Sequence, residues 1–240
     1  MKLKLFSLLL CIFTSLGLAQ NSQTHAIIGV DIFNGNSDDL TDMTLLIEEG
    51  IIKDIFKTGS KTISDSVNRL EYPGYYVIPG LIDTHVHMGM KGLSKSPEAS
   101  RKEFKKWLYS GVTAVRDMGG DGRKLAQENQ LIKENKQPGP DLYFSATVGS
   151  SDMIAKDMRL KRVTQGIGIA NAAYVLEAKD DMDIQKNVTM AVNSEVTGLK
   201  FYAGINAKLI KAITAEGHSQ GLKSWAHFTV FPDRPLEVVR

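Results

Sequence analysis

The stretch Pro79-Gly80-Leu81-Ile82-Asp83-Thr84-His85-Val86-His87-Met88-Gly89 decides how this chain is read. It begins with a turn pair, runs through apolar and β-branched residues, and places two histidines two positions apart near its C-terminal end. In a strand, side chains two apart point to the same side. The Cα atoms of His85 and His87 would stand roughly 6–7 Å apart, so one ion can bridge their imidazoles, a ligand that suits zinc, iron and nickel alike. Asp83 faces the same way. Two histidines at this spacing can also be a chance or purely structural pair, and the surrounding chain has to decide.

Downstream, strand-like and helix-like segments alternate. Leu81–Val86, preceded by Tyr75–Ile78, reads as a first strand. Ser96-Pro97 begins a helix, with serine as cap and proline in the first turn; Phe104, Trp107 and Leu108 share one of its faces, and Gly111 ends it. Val112–Val115 is a second strand, a helix follows over about 121–135, and Gln137-Pro138-Gly139-Pro140 stops it. Asp141–Val148 is a third strand, Leu199–Ala203 a fourth and Leu222–Val230 a fifth. Ile184, Val188 and Val192 mark one intervening helix; Leu209, Ile210 and Ile213 mark the next. Gly149–Asp181 has weak periodicity, and an excursion of that length after a strand is uncommon unless functional.

Repeated strand-helix units predict α/β architecture with a parallel sheet. A doubly wound sheet and a (β/α) barrel both satisfy that alternation. No G-x-G-x-x-G follows a strand, and neither a P-loop nor a G-x-S-x-G nucleophile elbow occurs. Dinucleotide, NTPase and serine-hydrolase readings lose ground accordingly. Upstream, Ala26–Val30, Thr44–Glu48 and Ile51–Phe56 predict a small antiparallel sheet ending near Tyr72-Pro73-Gly74, with Glu49-Gly50 as a hairpin turn.

The beginning of the chain reads differently. Lys2 and Lys4 precede an apolar run from Leu5 to Leu18, and Gly17 and Ala19 give a small-x-small pattern. This predicts a secretory signal peptide over residues 1–19, hence a periplasmic or secreted protein. The run is short for a membrane span, which needs about 20 apolar residues. Leu10 before Cys11 is not small, which argues against lipidation. Cleavage removes Cys11, the only cysteine, and also Lys2 and Lys4, leaving 27 basic against 27 acidic residues. A nearly neutral mature chain has no electrostatic footprint for nucleic acid.

Taken together with its neighbours, PGLIDTHVHMG resembles the amidohydrolase superfamily, in its imidazolonepropionase-like and Xaa-Pro-dipeptidase-like branch. SGVTAVRDMGG (Ser110–Gly120), TGLKFYAG (Thr197–Gly204) and GLKSWAHFTVFPDRP (Gly221–Pro235) are similar to that family's second, fourth and fifth barrel strands, and IEEGIIKDI to a hairpin of its N-terminal β-sandwich. The resemblance implies a partial TIM barrel of about five of eight strands over 77–240, after a β-sandwich segment over 24–76. It further implies a two-metal site, with zinc the foremost of the divalent ions. His85 and His87 would hold the more buried ion, His227 the second, and Lys200, carboxylated by carbon dioxide, would bridge them.

The chemistry of each residue is compatible with that role. Lysine must lose its proton to take up carbon dioxide, and burial among Leu199 and Phe201 favours the neutral amine. Tyr202 shares the Lys200 face and is the candidate substrate contact; a core tyrosine is the alternative. Arg116 and Asp117, at the end of the second strand, are pocket candidates, with a structural ion pair as the favoured reading, and His218 is read as an exposed residue favouring its helix dipole. His25 has no evident role. The implied function is hydrolysis of a C–N bond in an amide, cyclic amide or dipeptide by a metal-activated hydroxide. The family's strand-six histidine and strand-eight general-base aspartate have no counterpart before Arg240. The chain is therefore expected to be C-terminally truncated; the alternative is a non-catalytic fragment retaining part of a metal site.

Overall fold

A computed structural model of the protein describes residues 24–35, 40–91, 96–228 and 231–239. The expected signal peptide, with Cys11, lies outside the described residues, as do Thr229 and Val230. The chain divides into two compact units, the first ending at Pro79 and the second beginning at Gly80.

The first unit is built on one sheet of β1 (His25–Ile32), β2 (Leu40–Glu48), β3 (Ile51–Lys57), β4 (Asn68–Glu71) and β5 (Tyr76–Val77). Its main path runs β3-β2-β1-β4, and β5 also pairs with β1. The β2–β3 hairpin turns through Glu49 and Gly50, both with positive φ (52° and 76°). Positive φ at both central residues is what a two-residue type I′ turn requires, and its twist matches that of the flanking strands. Val30, Ile32 and Leu45 form the buried centre, with Ile27, Met43 and Val77 packed on them. The expected antiparallel sheet is present as β1–β2–β3. However, β4 and β5 join β1 in parallel, making the sheet mixed. Tyr76–Val77 therefore belongs to this sheet and not to the first strand of the following α/β unit. At the β1–β4 seam the amide of Asn68 lies 2.9 Å from His25 Nδ1.

The second unit alternates strictly parallel strands with helices. In chain order it contains β6 (Leu81–Val86), α1 (Met88–Lys91), α2 (Pro97–Tyr109), β7 (Val112–Asp117), α3 (Gly122–Lys133) and β8 (Asp141–Ser150). Then follow α4 (Ser151–Lys156), α5 (Met158–Val163), β9 (Val175–Ala178), α6 (Ile184–Asn193), β10 (Gly198–Phe201), α7 (Ala207–Ser219), β11 (Lys223–Ala226) and α8 (Pro235–Val239). The sheet order is β11-β10-β8-β7-β6. The ladder to β7 ends at Phe144, and from Thr147 onward β9 pairs with β8.

Helix starts follow from side-chain chemistry. Ser96, Asp121, Asp157, Asp183 and Asn206 each accept a hydrogen bond from a backbone N–H in the first turn of the helix they precede, satisfying donors the helix cannot. Alternation then sorts the strands. Val115, Leu142, Phe144, Ala146, Val148, Leu199 and Phe201 face the helices and are almost fully buried with Phe104, Leu125, Val188 and Ile213. The opposite face carries Asp83, Arg116, Lys200 and Trp225.

That second face is concave. The Arg116 guanidinium, from β7, lies 4.2 Å from the centroid of the Trp225 ring, from β11. Two strands intervene, so in a flat sheet the two backbones would stand roughly 14 Å apart, with side chains standing off the sheet side by side. Only a strongly curled sheet brings them into contact. The arc of five strands, β6-β7-β8-β10-β11, is the partial barrel expected from sequence.

Candidate metal centre

His85 is the penultimate residue of β6, and His87 lies just past its end, where the strand opens into the turn before α1. Their ring centroids are 5.3 Å apart and their planes cross at 70°. Asp83 lies one pleat earlier on the same side, and its Oδ1 accepts the His85 backbone N–H at 3.1 Å. Lys200 stands on β10 between Leu199 and Phe201, only 3% exposed. Its register neighbours are Thr147 on β8 and Trp225 on β11. His227 follows β11, its backbone N–H bonded to the Phe201 carbonyl at 3.1 Å. Its ring meets Tyr202 edge-on at 4.4 Å. The Nε2 atom of His227 is buried and has no hydrogen-bond partner among the described residues.

Each of these groups feels the charge of others among them. His85 is held below the usual imidazole range first by burial, then by the charges of Lys200, His87 and Arg116, with Asp83 opposing. His227 is lowered by burial and then by Lys200, His85, His87 and Arg159. Lys200 is lowered by burial and by Arg116. Each of these shifts favours the uncharged base, which is the form that binds a metal or reacts with carbon dioxide. The arrangement is nevertheless open. Among the described residues, no three His, Cys, Asp or Glu side chains come close enough to hold one ion. A cavity of about 630 Å³ borders the two histidines of β6, with Asp83 and, from α2, Lys102, Glu103 and Trp107 also in its wall.

One expectation is corrected here. Arg116 and Asp117 do not pair, because adjacent strand residues point to opposite faces. Arg116 stays on the concave side, where its Nε donates to the Thr84 carbonyl at 2.8 Å. Asp117 is buried on the helix side, where Oδ2 accepts from Gly89 N–H at 2.8 Å and Oδ1 from Gly119 N–H at 3.0 Å. It clamps the turn that follows His87. A Cβ on Gly89 would press on the Gly120 backbone, so the clamp requires glycine on both sides. Burial outweighs these hydrogen bonds and raises the Asp117 carboxyl to about 6. His218 is exposed near the end of α7, as expected.

Arg159 is a site residue that the sequence did not suggest. It opens α5, in the excursion 149–181, and its guanidinium lies 5.6 Å from the Tyr202 ring centroid. Asp157 holds it by an ion pair. The available signal was an aspartate cap two residues before it, followed by Leu160 and Val163 at helical spacing.

The pattern of the amidohydrolase family matches residues 76–204, which include His85, His87, Lys200 and Tyr202 but not His227. A dihydroorotase from Methanosphaera stadtmanae is 32% identical over 99 residues, 39% of this chain and 23% of that protein. Two solved structures share the fold. One is a proposed prolidase from Bifidobacterium longum, with TM-score 0.69 and 20% identity over 91% of this chain and 52% of that one. The other is a Xaa-Pro dipeptidase with methionine bound in its active site, with TM-score 0.62 and 20% identity over 85% and 56%. This chain thus spans about half the length of the structures it matches. With more than half of its residues inside the matched pattern, the chain belongs to the amidohydrolase family.

Proposed function

We propose that the chain carries the metal-binding part of a hydrolase that cleaves a C–N bond in an amide, cyclic amide or dipeptide. His85, His87, Lys200 and His227 hold two divalent ions, zinc foremost, with Lys200 as a carbamate. The observation that carries this reading is the convergence of these four side chains, from three strands, on one concave face at the strand ends, where barrel enzymes place their sites. The donor set fits such ions: the imidazoles of His85 and His227 are biased to the neutral form, and the buried Nε2 of His227 has no hydrogen-bond partner among the described residues. Divalent ions held there supply Lewis-acid polarisation of a carbonyl and a water of lowered pKa. The protein's own part is orientation. Asp117 fixes the turn after His87, Tyr202 packs against the His227 ring, and Tyr202 and Arg159 border the space where a substrate would lie. Residues 1–19 would direct export to the periplasm or the exterior; among the described residues no helix is long and apolar enough to cross a membrane.

A second reading is that the chain binds metal without turnover, favoured by the lack of a three-ligand cluster among the described residues. Titration of the purified chain with zinc, followed by metal analysis, tests the first part. Binding should be strong and should be lost in the His85→Ala/His87→Ala double variant; no binding by the unaltered chain would sink the proposal. Robust hydrolysis of amide or dipeptide substrates by the zinc-loaded chain would discard the second reading.

A further inference from the structure

The excursion between β8 and β9 concentrates positive charge. From Lys156 to Arg162 it carries four basic residues against one acid, Asp157, in a chain whose basic and acidic residues nearly balance. Lys156 pairs with Asp152, and Arg159 with Asp157. Lys161 and Arg162 are left in surplus: the ion pairs of the described residues include neither. Arg162 borders a cavity of about 480 Å³ in the second unit, whose wall also holds Arg123 and Lys124 of α3, Gly89 of α1 and Gly166 beyond α5. The one acid in that wall, Asp121, is spent on Arg123: its Oδ1 accepts from Nε at 3.0 Å and its Oδ2 from Nη2 at 2.8 Å. Nη2 also donates to the Gln165 carbonyl at 3.3 Å, so Arg123 ties α3 to the turn after α5 and is fixed before any ligand arrives.

We infer that this cavity is a binding site for a small phosphate monoester. Such a group carries close to two negative charges at neutral pH on three free oxygens. Three cationic side chains on two walls match that charge, whereas a lone carboxylate is satisfied by one guanidinium fork. The volume lies within the range of small-molecule sites, roughly 300–1,000 Å³, and leaves room for the esterified part. Between the cations the wall is bare backbone at Gly89, where a Cβ would press on the Gly120 backbone. None of the four residues read as metal ligands lines the cavity, so this site stands or falls apart from the metal reading.

The test is calorimetric titration of the full chain, stripped of metal so that phosphate has no ion to bind, with inorganic phosphate and with glycerol 3-phosphate at constant ionic strength. Both should saturate a single site. Arg162→Gln, a change at an exposed side chain, should weaken binding about tenfold, as expected for loss of one charge-assisted hydrogen bond. Lys124→Gln should act in the same direction, and it keeps the test open if Arg162→Gln fails to fold. Lys105→Gln, at an exposed lysine of α2 outside the cavity, should leave affinity unchanged. Unchanged affinity in a folded Arg162→Gln, or in Lys124→Gln where Arg162→Gln does not fold, overturns the site. Equal weakening by Lys105→Gln overturns it too, because charge alone would then explain the binding. Phosphatidylcholine vesicles doped with phosphatidic acid separate the two sources of a phosphate group: capture by vesicles without saturable binding of either soluble phosphate overturns the cavity in favour of a basic membrane-facing surface.

Discussion

The Tyr202 ring meets the His227 imidazole edge-on, with centroids 4.4 Å apart and planes at 64°. Such contacts fix a ring's orientation without using its nitrogens, which leaves His227 Nε2 available to another partner. Tyr202→Phe keeps the contact and should bind zinc within about twofold of the unaltered chain. Tyr202→Ala lets the imidazole rotate and should weaken binding by about tenfold, the lower end of what loss of a ligand's supporting contact costs. Calorimetric titration of both variants checks this; equal affinities would show that the ring contact does no positioning.

Asp117 presents two oxygens to two backbone donors, Gly89 N–H and Gly119 N–H. Asparagine offers one acceptor and turns a donor toward the second N–H. Asp117→Asn should lower stability by about 1–3 kcal/mol, measured by urea unfolding at pH 5, and should speed amide exchange at Gly89. The pH dependence has a definite sign. Burial raises the folded-state carboxyl from its ordinary value of 3.8 to about 6, so the folded state binds more protons between those values. Its stabilising contribution is full below about 4 and is lost as pH rises through 6. The stability gap between the two proteins should therefore narrow over that interval.

His85 and His227 are both shifted downward, first by burial and then by neighbouring positive charge. Their neutral forms should persist below the ordinary imidazole value of 6.5. Unfolded histidine then binds more protons than folded, so stability should fall as pH drops below 6.5. Proton NMR of the metal-free chain should show two imidazole resonances, assigned with His85→Ala and His227→Ala, that titrate below 6.5. Midpoints at or above that value would contradict the downward shift of these two imidazoles.

Gly198 faces Trp225 across β10 and β11. A Cβ there would overlap the indole ring and approach the Lys223 carbonyl. Gly198→Ala should push the ring off its seat and destabilise the unit by about 1–3 kcal/mol, the usual cost of overpacking. With Trp107→Phe removing the other indole, Trp225 fluorescence reports the displacement directly. An unchanged spectrum and unchanged urea midpoint would mean the seat is looser than its geometry.

The parts of the fold legible in sequence are those whose signals are local and long enough to repeat. Ser96-Pro97 announced α2, and the Ile184/Val188 spacing announced α6. The apolar neighbours of Lys200 placed it on a buried strand. What escaped was short or depends on distant pairing. The two helices of the excursion have six residues each, too few to establish a helical period. The four-residue β9 exists because β7 leaves the upper part of β8 without a neighbour, and no local pattern encodes that. Tyr76–Val77 looked continuous with Leu81–Val86 because strand propensity does not specify a partner. The positions of His85, His87, Lys200 and His227 at the strand ends were legible from the segments around them. The opposite orientations of Arg116 and Asp117, and the arrival of Arg159 beside Tyr202, required the folded backbone.

The sheet order β6-β7-β8-β10-β11 follows the chain except where β9 intervenes. Each strand thus docks on one already made. As the polypeptide leaves the ribosome, the arc can grow one strand and one helix at a time. The slowest step in that order should be the seating of β9, which must find the flank of β8 before β10 takes the other side.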